Sequence, residues 1–191
     1  MHIVKKIKKI SLSKSFFPFW RYQFLVKSLN KKIKPYKINR EILGVGDVVF
    51  ALCYAPKEKK FYLIKQFRPF YFVRKEKYKY ELVGGLVDKG ENLTSALKRE
   101  INEEIGVKTL KIKKLTKYCP APGYTDEIVH VYYAEVEEIK NGYLFNKFEN
   151  EEIKISKLTL NQLKKINSSK QIQNVLTKVS IYEYLNKIKK N

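Results

Sequence analysis

The sequence predicts an α/β fold, a mixed β-sheet flanked by helices. Three observations carry that prediction. Alternating apolar stretches recur through the middle of the chain. One amphipathic helix interrupts them just before Gly106, and two more helical patterns close the C-terminal part. With 191 residues and 44% hydrophobic content, the chain suits one main domain with a small appendage.

Taken in order, residues 1 to about 40 are basic and aromatic, and weak alternation in RYQFLVKSL (21–29) and KKIKPYKINREIL (31–43) predicts short strands. DVVFALCYA (47–55) and KFYLIKQFR (60–68) read as two strands joined by the turn PKEKK. KYELVGGLVDKGE (79–91) reads as a short strand, a glycine pair and a loop. A helix follows from about Asn92 to Ile105, and Gly106 is its C-terminal stop. VKTLKIKKLTKY (107–118) and EIVHVYYAEVEEI (127–139) alternate as strands around the loop CPAPGYTDE, and EEIKISKL (151–158) is one more. One helical pattern spans Leu160 to Ile166. A longer one runs from about Gln171 to Lys189, with Ile172, Val175, Leu176, Val179, Tyr182 and Leu185 on one face.

The formal net charge is +21. Such a charge suits a polyanionic partner, but the basic residues are spread along the chain rather than gathered in one arm, which favours solvated lysine faces over nucleic-acid binding. Only five of the 40 basic residues are arginine (Arg21, Arg40, Arg68, Arg74, Arg99), so each arginine stands out as a planar fork suited to carboxylate or phosphate. No apolar run approaches a membrane span, and the basic start lacks the apolar core of a signal peptide. Cys53 and Cys119 have no CxxC spacing, which argues against a disulfide scaffold or a cysteine zinc site. The expectation is a cytoplasmic protein without a membrane segment.

The helix breaks a rule. At about 100° per residue from Leu93, the residues Leu97, Ile101 and Ile105 follow on one side and Ala96 on the other. Glu100 and Glu104 fall roughly 20° either side of Leu93, inside the apolar stripe, and Glu103 sits at its edge. Ser95, Lys98 and Asn102 take the solvent face. Carboxylates are rarely buried without compensation, so a rule broken here points to function. Three carboxylates at i, i+3 and i+4 on one helix would repel, and hard divalent cations among them would remove the repulsion.

Extended backwards, the stretch GLVDKGENLTSALKREINEEIGV carries Gly85, five residues, Glu91, seven residues, then Arg99 through Val107. At every fixed position it resembles the signature box of the Nudix hydrolases. The resemblance implies a Nudix-type α/β/α sandwich and Mg²⁺-dependent cleavage of a diphosphate linked to another moiety, with Mn²⁺ as a substitute. It implies that Glu100 and Glu104 hold metal, with Glu103 in or beside the cluster, and that Gly84 lends its carbonyl. Gly85, Glu91, Arg99 and Gly106 would be structural members of the motif, Glu91 and Arg99 orienting the glutamates.

Flanking segments resemble the ADP-ribose and nucleotide-sugar pyrophosphatase subfamily: LIKQFRPF (63–70) its QxRP strand, then YELVGGLVD and APGYTDE (121–127). FENEEIKI (148–155) resembles its late acidic loop, which implies Glu149 as the base that activates water and Glu151 as a further metal ligand. The same segment could be a solvated acidic turn, and Glu103 is the alternative base. Arg68 is either an arm for the diphosphate or terminal sugar, or a strand-end ion pair. Glu127 is a candidate substrate contact, and His130, in IVHVYY, reads as a core or sheet-face histidine. The subfamily implies a small β-subdomain at 1–42, ahead of the hydrolase domain at 43–191, that exchanges across a homodimer and helps hold the base; Trp20, Tyr22 and Tyr36 are candidate stackers. RYQ near the start, with KQFRP and YELVGGLVD, also resembles the UDP-sugar branch, so UDP-glucose stands as an alternative to ADP-ribose. A Nudix scaffold that binds nucleic acid without turnover is a third reading, which the intact box disfavours.

Overall fold

The N-terminal strands β1 (Ile3–Ser13), β2 (Phe19–Lys27) and β3 (Tyr36–Leu43) form an antiparallel three-stranded sheet in the order β1-β2-β3. This is a computed structural model, and it describes residues 3–13, 16–30, 32–146 and 150–189. The stretch at the very start, basic but without an apolar core, is thus a strand from Ile3 onward. The sheet belongs to a first compact unit, residues up to Gly46 together with Cys119–Ile128. The division at Gly46 falls a few residues beyond the expected position 42, and the unit recruits the distant loop as well. The loop is held by backbone and side chain together. Leu43 donates to the Tyr124 carbonyl, and the Asp126 carboxylate accepts from the Val45 and Gly46 amides at 2.7 and 3.0 Å. Within this unit Trp20 and Tyr22 are half-buried, and Lys9 Nζ lies 3.7 Å from the centre of the Trp20 ring, while Tyr36 is exposed.

The second unit comprises Asp47–Tyr118 and Val129–Asn191. Its strands are β4 (Asp47–Ala55), β5 (Lys60–Lys65), β6 (Val83–Leu86), β7 (Thr109–Tyr118), β8 (Ile128–Val136), β9 (Tyr143–Asn146) and β10 (Glu151–Leu158). The sheet runs β7-β8-β4-β5-β10-β9, with β6 paired to β4. β4 changes partner midway: Val48–Ala51 pair with β6 and Cys53–Ala55 with β5. A single bridge between Ile64 and Glu81 spans the gap and holds Glu81 beside the end of β5.

Helix α2 (Leu93–Ile105) covers one face of this sheet. Its Ala96, Leu97, Ile101 and Ile105 join Val49, Ala51, Cys53, Ile64 and Val83 in the main core. Asn92 caps its start, accepting from the Thr94 and Ser95 amides, and Gly106 ends it in the left-handed conformation at φ 69°. α3 (Leu160–Asn167) packs against β5 and β10, and α4 (Val175–Lys189) against β7. Thr159 and Gln162 close a capping box at the start of α3.

Three elements depart from the sequence expectation. β5 ends at Lys65 rather than Arg68, because Pro69 opens a short helix, α1 (Pro69–Val73), and forces extended backbone on Arg68 (φ −131°, ψ 125°). β9 lacks any alternation long enough to read. In α4 the buried face is rotated from the expected apolar one: Ile172, just before the helix, and Leu176 are buried as expected, but Val175 and Tyr182 are each 59% exposed, and Thr177, Ser180 and Ile181 are buried in their place. Thr177 Oγ1 accepts from the Leu82 amide and Ser180 Oγ donates to the Leu176 carbonyl, so both small polar residues are buried with their hydroxyls paired. Among the described residues no helix is long and apolar enough to cross a membrane.

Candidate active site

The site is built where β6 passes beneath α2, inside the second unit. Gly84 adopts φ 144°, and a side chain there would place Cβ 2.0 Å from the Val49 carbonyl oxygen. Only glycine lets β6 lie this close to β4. Its amide donates to Glu104 Oε2 at 2.7 Å. At the next residue, Gly85, a Cβ would meet both oxygens and the carbon of the Glu100 carboxylate at 2.7–2.8 Å. The glycine pair thus opens the seat that two glutamates of α2 fill.

The structure places the helix glutamates as the wheel requires. Glu104 is 6% exposed in the core face. The Glu100 side chain is 13% exposed, and that of Glu103, at the edge, 39%. Arg99 gathers the outer acids. It donates to Glu91 through Nε at 3.2 Å and Nη2 at 2.9 Å, to Glu100 at 2.8 Å, to Glu103 at 3.1 Å and to the Leu86 carbonyl at 2.9 Å. The bond to Arg99 holds the Glu91 carboxyl below its usual range, and Glu91 also accepts from the Asp88 amide. Glu91, Arg99 and Leu86 together tie the loop before α2 to the middle of the helix.

Glu104 is in a different state. Burial pushes its carboxyl well above the usual carboxylate range; the Gly84 amide and Arg68 pull it back, while the charges of Glu100 and Glu151 push further in the same upward direction. Glu151, the first residue of β10, therefore shares a field with Glu100 and Glu104, although it lies far from them in sequence. Among the described residues no three Asp, Glu, His or Cys side chains are already gathered into a cage. The donor set nevertheless fits a hard divalent cation: carboxylate oxygens, mutually repelling, with one of them fully desolvated.

Arg68 is drawn into the same neighbourhood. Its Nε donates to Glu81 Oε2 at 2.9 Å, an ion pair at the end of β5. Burial opposes the Arg68 charge, but Glu81, followed by Glu104 and Glu151, outweighs it and raises its pKa. Arg68 and Glu81 also line a pocket of about 550 Å³ with Phe50, Tyr71, Leu82 and Thr177. Glu81 and Gln66 are site neighbours the sequence reading left unassigned. Each is a buried polar residue beside an apolar strand, 5% and 4% exposed, which is the same broken rule that marks Glu104.

The other candidates divide. Glu149 lies outside the described residues. Glu127 belongs to the first unit, where burial raises its carboxyl pKa and its amide donates to Thr125 Oγ1. His130 is a buried sheet-face residue whose Nε2 lies 2.6 Å from Asp47 Oδ1.

The NUDIX domain matches residues 45–178, and the chain belongs to the Nudix family of hydrolases. The ADP-ribose pyrophosphatase of Bacillus subtilis (strain 168) is 32% identical over 149 residues, covering 76% of this chain and 75% of that protein. The ADP-ribose pyrophosphatase of Escherichia coli (strain K12) is 27% identical over 154 residues, covering 80% and 73%. The crystal structure of an ADP compounds hydrolase superimposes with a TM-score of 0.73 at 15% identity over 98% of this chain and 95% of that one, which shows the shared fold.

Proposed function

We propose that the protein hydrolyses the diphosphate bond of ADP-ribose or a closely related nucleoside-diphosphate sugar, in a Mg²⁺-dependent reaction that Mn²⁺ also supports. The products are a nucleoside monophosphate and a sugar phosphate. The observation that carries this reading is the buried Glu104 carboxylate, raised in pKa beside Glu100 and Glu151 on an intact Nudix box. The identity to two ADP-ribose pyrophosphatases favours that substrate class.

In this reading Glu100, Glu104, Glu151 and the Gly84 carbonyl hold the divalent cation, with Glu103 at the margin. When bound, the cation supplies positive charge to the diphosphate and lowers the pKa of water. Glu149 takes the proton of the attacking water, with Glu103 as the alternative base. Arg68, which lines the pocket and is held by Glu81, presents its guanidinium to the diphosphate; Glu127 contributes a substrate contact. Arg99 and Glu91 orient Glu100 and Glu103. Trp20, Tyr22 or Tyr36 stacks on the base. The chain works as a homodimer in the reducing cytoplasm, a setting that suits its two free cysteines.

The second reading, a UDP-sugar pyrophosphatase, rests on the RYQ and KQFRP segments. Incubation with Mg²⁺ and a panel of ADP-ribose, UDP-glucose and GDP-mannose, with the products identified by mass, separates the two. AMP and ribose 5-phosphate as the fastest-formed pair is expected. UMP and glucose 1-phosphate would install the second reading, and no hydrolysis of any member would remove both.

A further inference from the structure

Gln66 is an amide 4% exposed at the end of β5, where β10 begins beside it. In the orientation that sets donors against acceptors, its Nε2 donates to Glu151 Oε2 at 3.2 Å. Its Oε1 accepts from Arg68 Nη1 at 3.2 Å and from Arg68 Nη2. Arg68 passes the chain on to Glu81, which is itself 5% exposed. Four polar side chains from three separate segments are thus linked in the order Glu151, Gln66, Arg68, Glu81.

We propose that Gln66 is a positioning residue that fixes the Glu151 carboxylate and the Arg68 guanidinium in one relative orientation, so that a cation-holding oxygen and a diphosphate-facing cation are presented together. The inference rests on the reading of Glu151 as a metal ligand.

The residue type follows from the task. The position needs one donor for a carboxylate and one acceptor for a guanidinium, in a side chain without charge. A lysine would neutralise Glu151 and compete with the cation. A glutamate would repel Glu151, and a leucine would fill the volume and leave both partners free to rotate. A glutamine satisfies both at once, and its burial locks its own rotamer. Without it, Arg68 and Glu151 would draw together directly, which would quench the carboxylate as a ligand. An outer partner of this kind commonly controls metal affinity without touching the metal.

The test measures Mn²⁺ binding to the full-length protein by electron paramagnetic resonance, without substrate, alongside thermal melting of each variant. Gln66→Met is expected to weaken Mn²⁺ binding by roughly tenfold. Gln66→Asn, one methylene too short to reach both partners, is expected to weaken it too, and it serves if the methionine variant folds poorly. In Gln66→Met combined with Glu151→Gln, Mn²⁺ should bind no more weakly than in Glu151→Gln alone, because Gln66 acts through Glu151. Unchanged Mn²⁺ affinity in a folded Gln66 variant, or additive losses in the double variant, would overturn the proposal. Unchanged affinity in Glu151→Gln alone would instead remove the metal-ligand assignment on which it stands, and the proposal with it.

Discussion

Glu103 and Glu104 are consecutive residues of α2, and their carboxylates live in opposite circumstances. Glu103 faces outward at 39% side-chain exposure and is bonded to Arg99, which also holds Glu91 and Glu100. Glu104 faces the core, accepts from a backbone amide, and feels the charges of Glu100 and Glu151. The outer set is compensated by a guanidinium of the chain itself. At the inner position, burial and the charges of Glu100 and Glu151 push the Glu104 carboxyl well above its usual range, while the Gly84 amide and Arg68 draw it back. Acids held by Arg99 maintain the shape of the loop and helix, and a buried carboxylate so placed gains from an external cation.

The largest effect should come from the inner set. Glu104→Gln keeps an acceptor for the Gly84 amide but removes the ligand charge. Turnover should fall by about a thousandfold or more, in line with the several kcal/mol a bound metal ion contributes. The same substitution should stabilise the metal-free protein, by about 1 kcal/mol at neutral pH. The sign follows from the raised folded-state pKa: the contribution of Glu104 to stability is complete below the ordinary carboxylate range and is lost as pH rises through its elevated value. Thermal melts from pH 4 upward should therefore show a decline in the metal-free wild type that Glu104→Gln lacks. Equal slopes for the two proteins would place the Glu104 charge elsewhere.

Gly85→Ala comes next. The new methyl would occupy the seat of the Glu100 carboxylate, 2.7–2.8 Å away in the present position. Because the displaced group is the far end of a side chain, the fold should survive while Mn²⁺ affinity, read by calorimetry, drops roughly tenfold. Gly84→Ala would be different in kind, since the obstacle there is the Val49 carbonyl at 2.0 Å and the protein should fail to accumulate in folded form.

On the outer side, Arg99→Lys should cost about 1–3 kcal/mol in denaturant melts, because an ammonium cannot reproduce the fork that reaches Glu91, Glu100, Glu103 and the Leu86 carbonyl. Turnover should fall less than in Glu104→Gln. The smallest change belongs to Glu103→Gln, within about 0.5 kcal/mol of wild-type stability for a half-exposed pair. A collapse of turnover in that variant would make Glu103 the base in place of Glu149.

The comparison also explains what could be read from the sequence. α2, its Asn92 start, its Gly106 stop and the inward set of Glu100 and Glu104 followed from a helical period and one broken burial rule, both local properties. The sheet strands β4, β7, β8 and β10 were legible for the same reason. What escaped was non-local. The buried face of α4 depends on a hydrogen bond between Thr177 and Leu82, 95 residues apart. The grouping of Glu81 with Arg68 depends on one bridge from Ile64, and that of Gln66 with Glu151 on the pairing of β5 with β10. Thr177, Glu81 and Gln66 are each polar and buried beside apolar neighbours, a signal that marks a position but does not name its partner.

The most direct test of the account is Mn²⁺ titration of three full-length proteins under identical conditions: wild type, Glu104→Gln and Glu103→Gln. Wild type and Glu103→Gln should bind with similar affinity, and Glu104→Gln should bind at least tenfold more weakly. Equal binding by all three would contradict the claim that the inner carboxylates of α2 hold the cation.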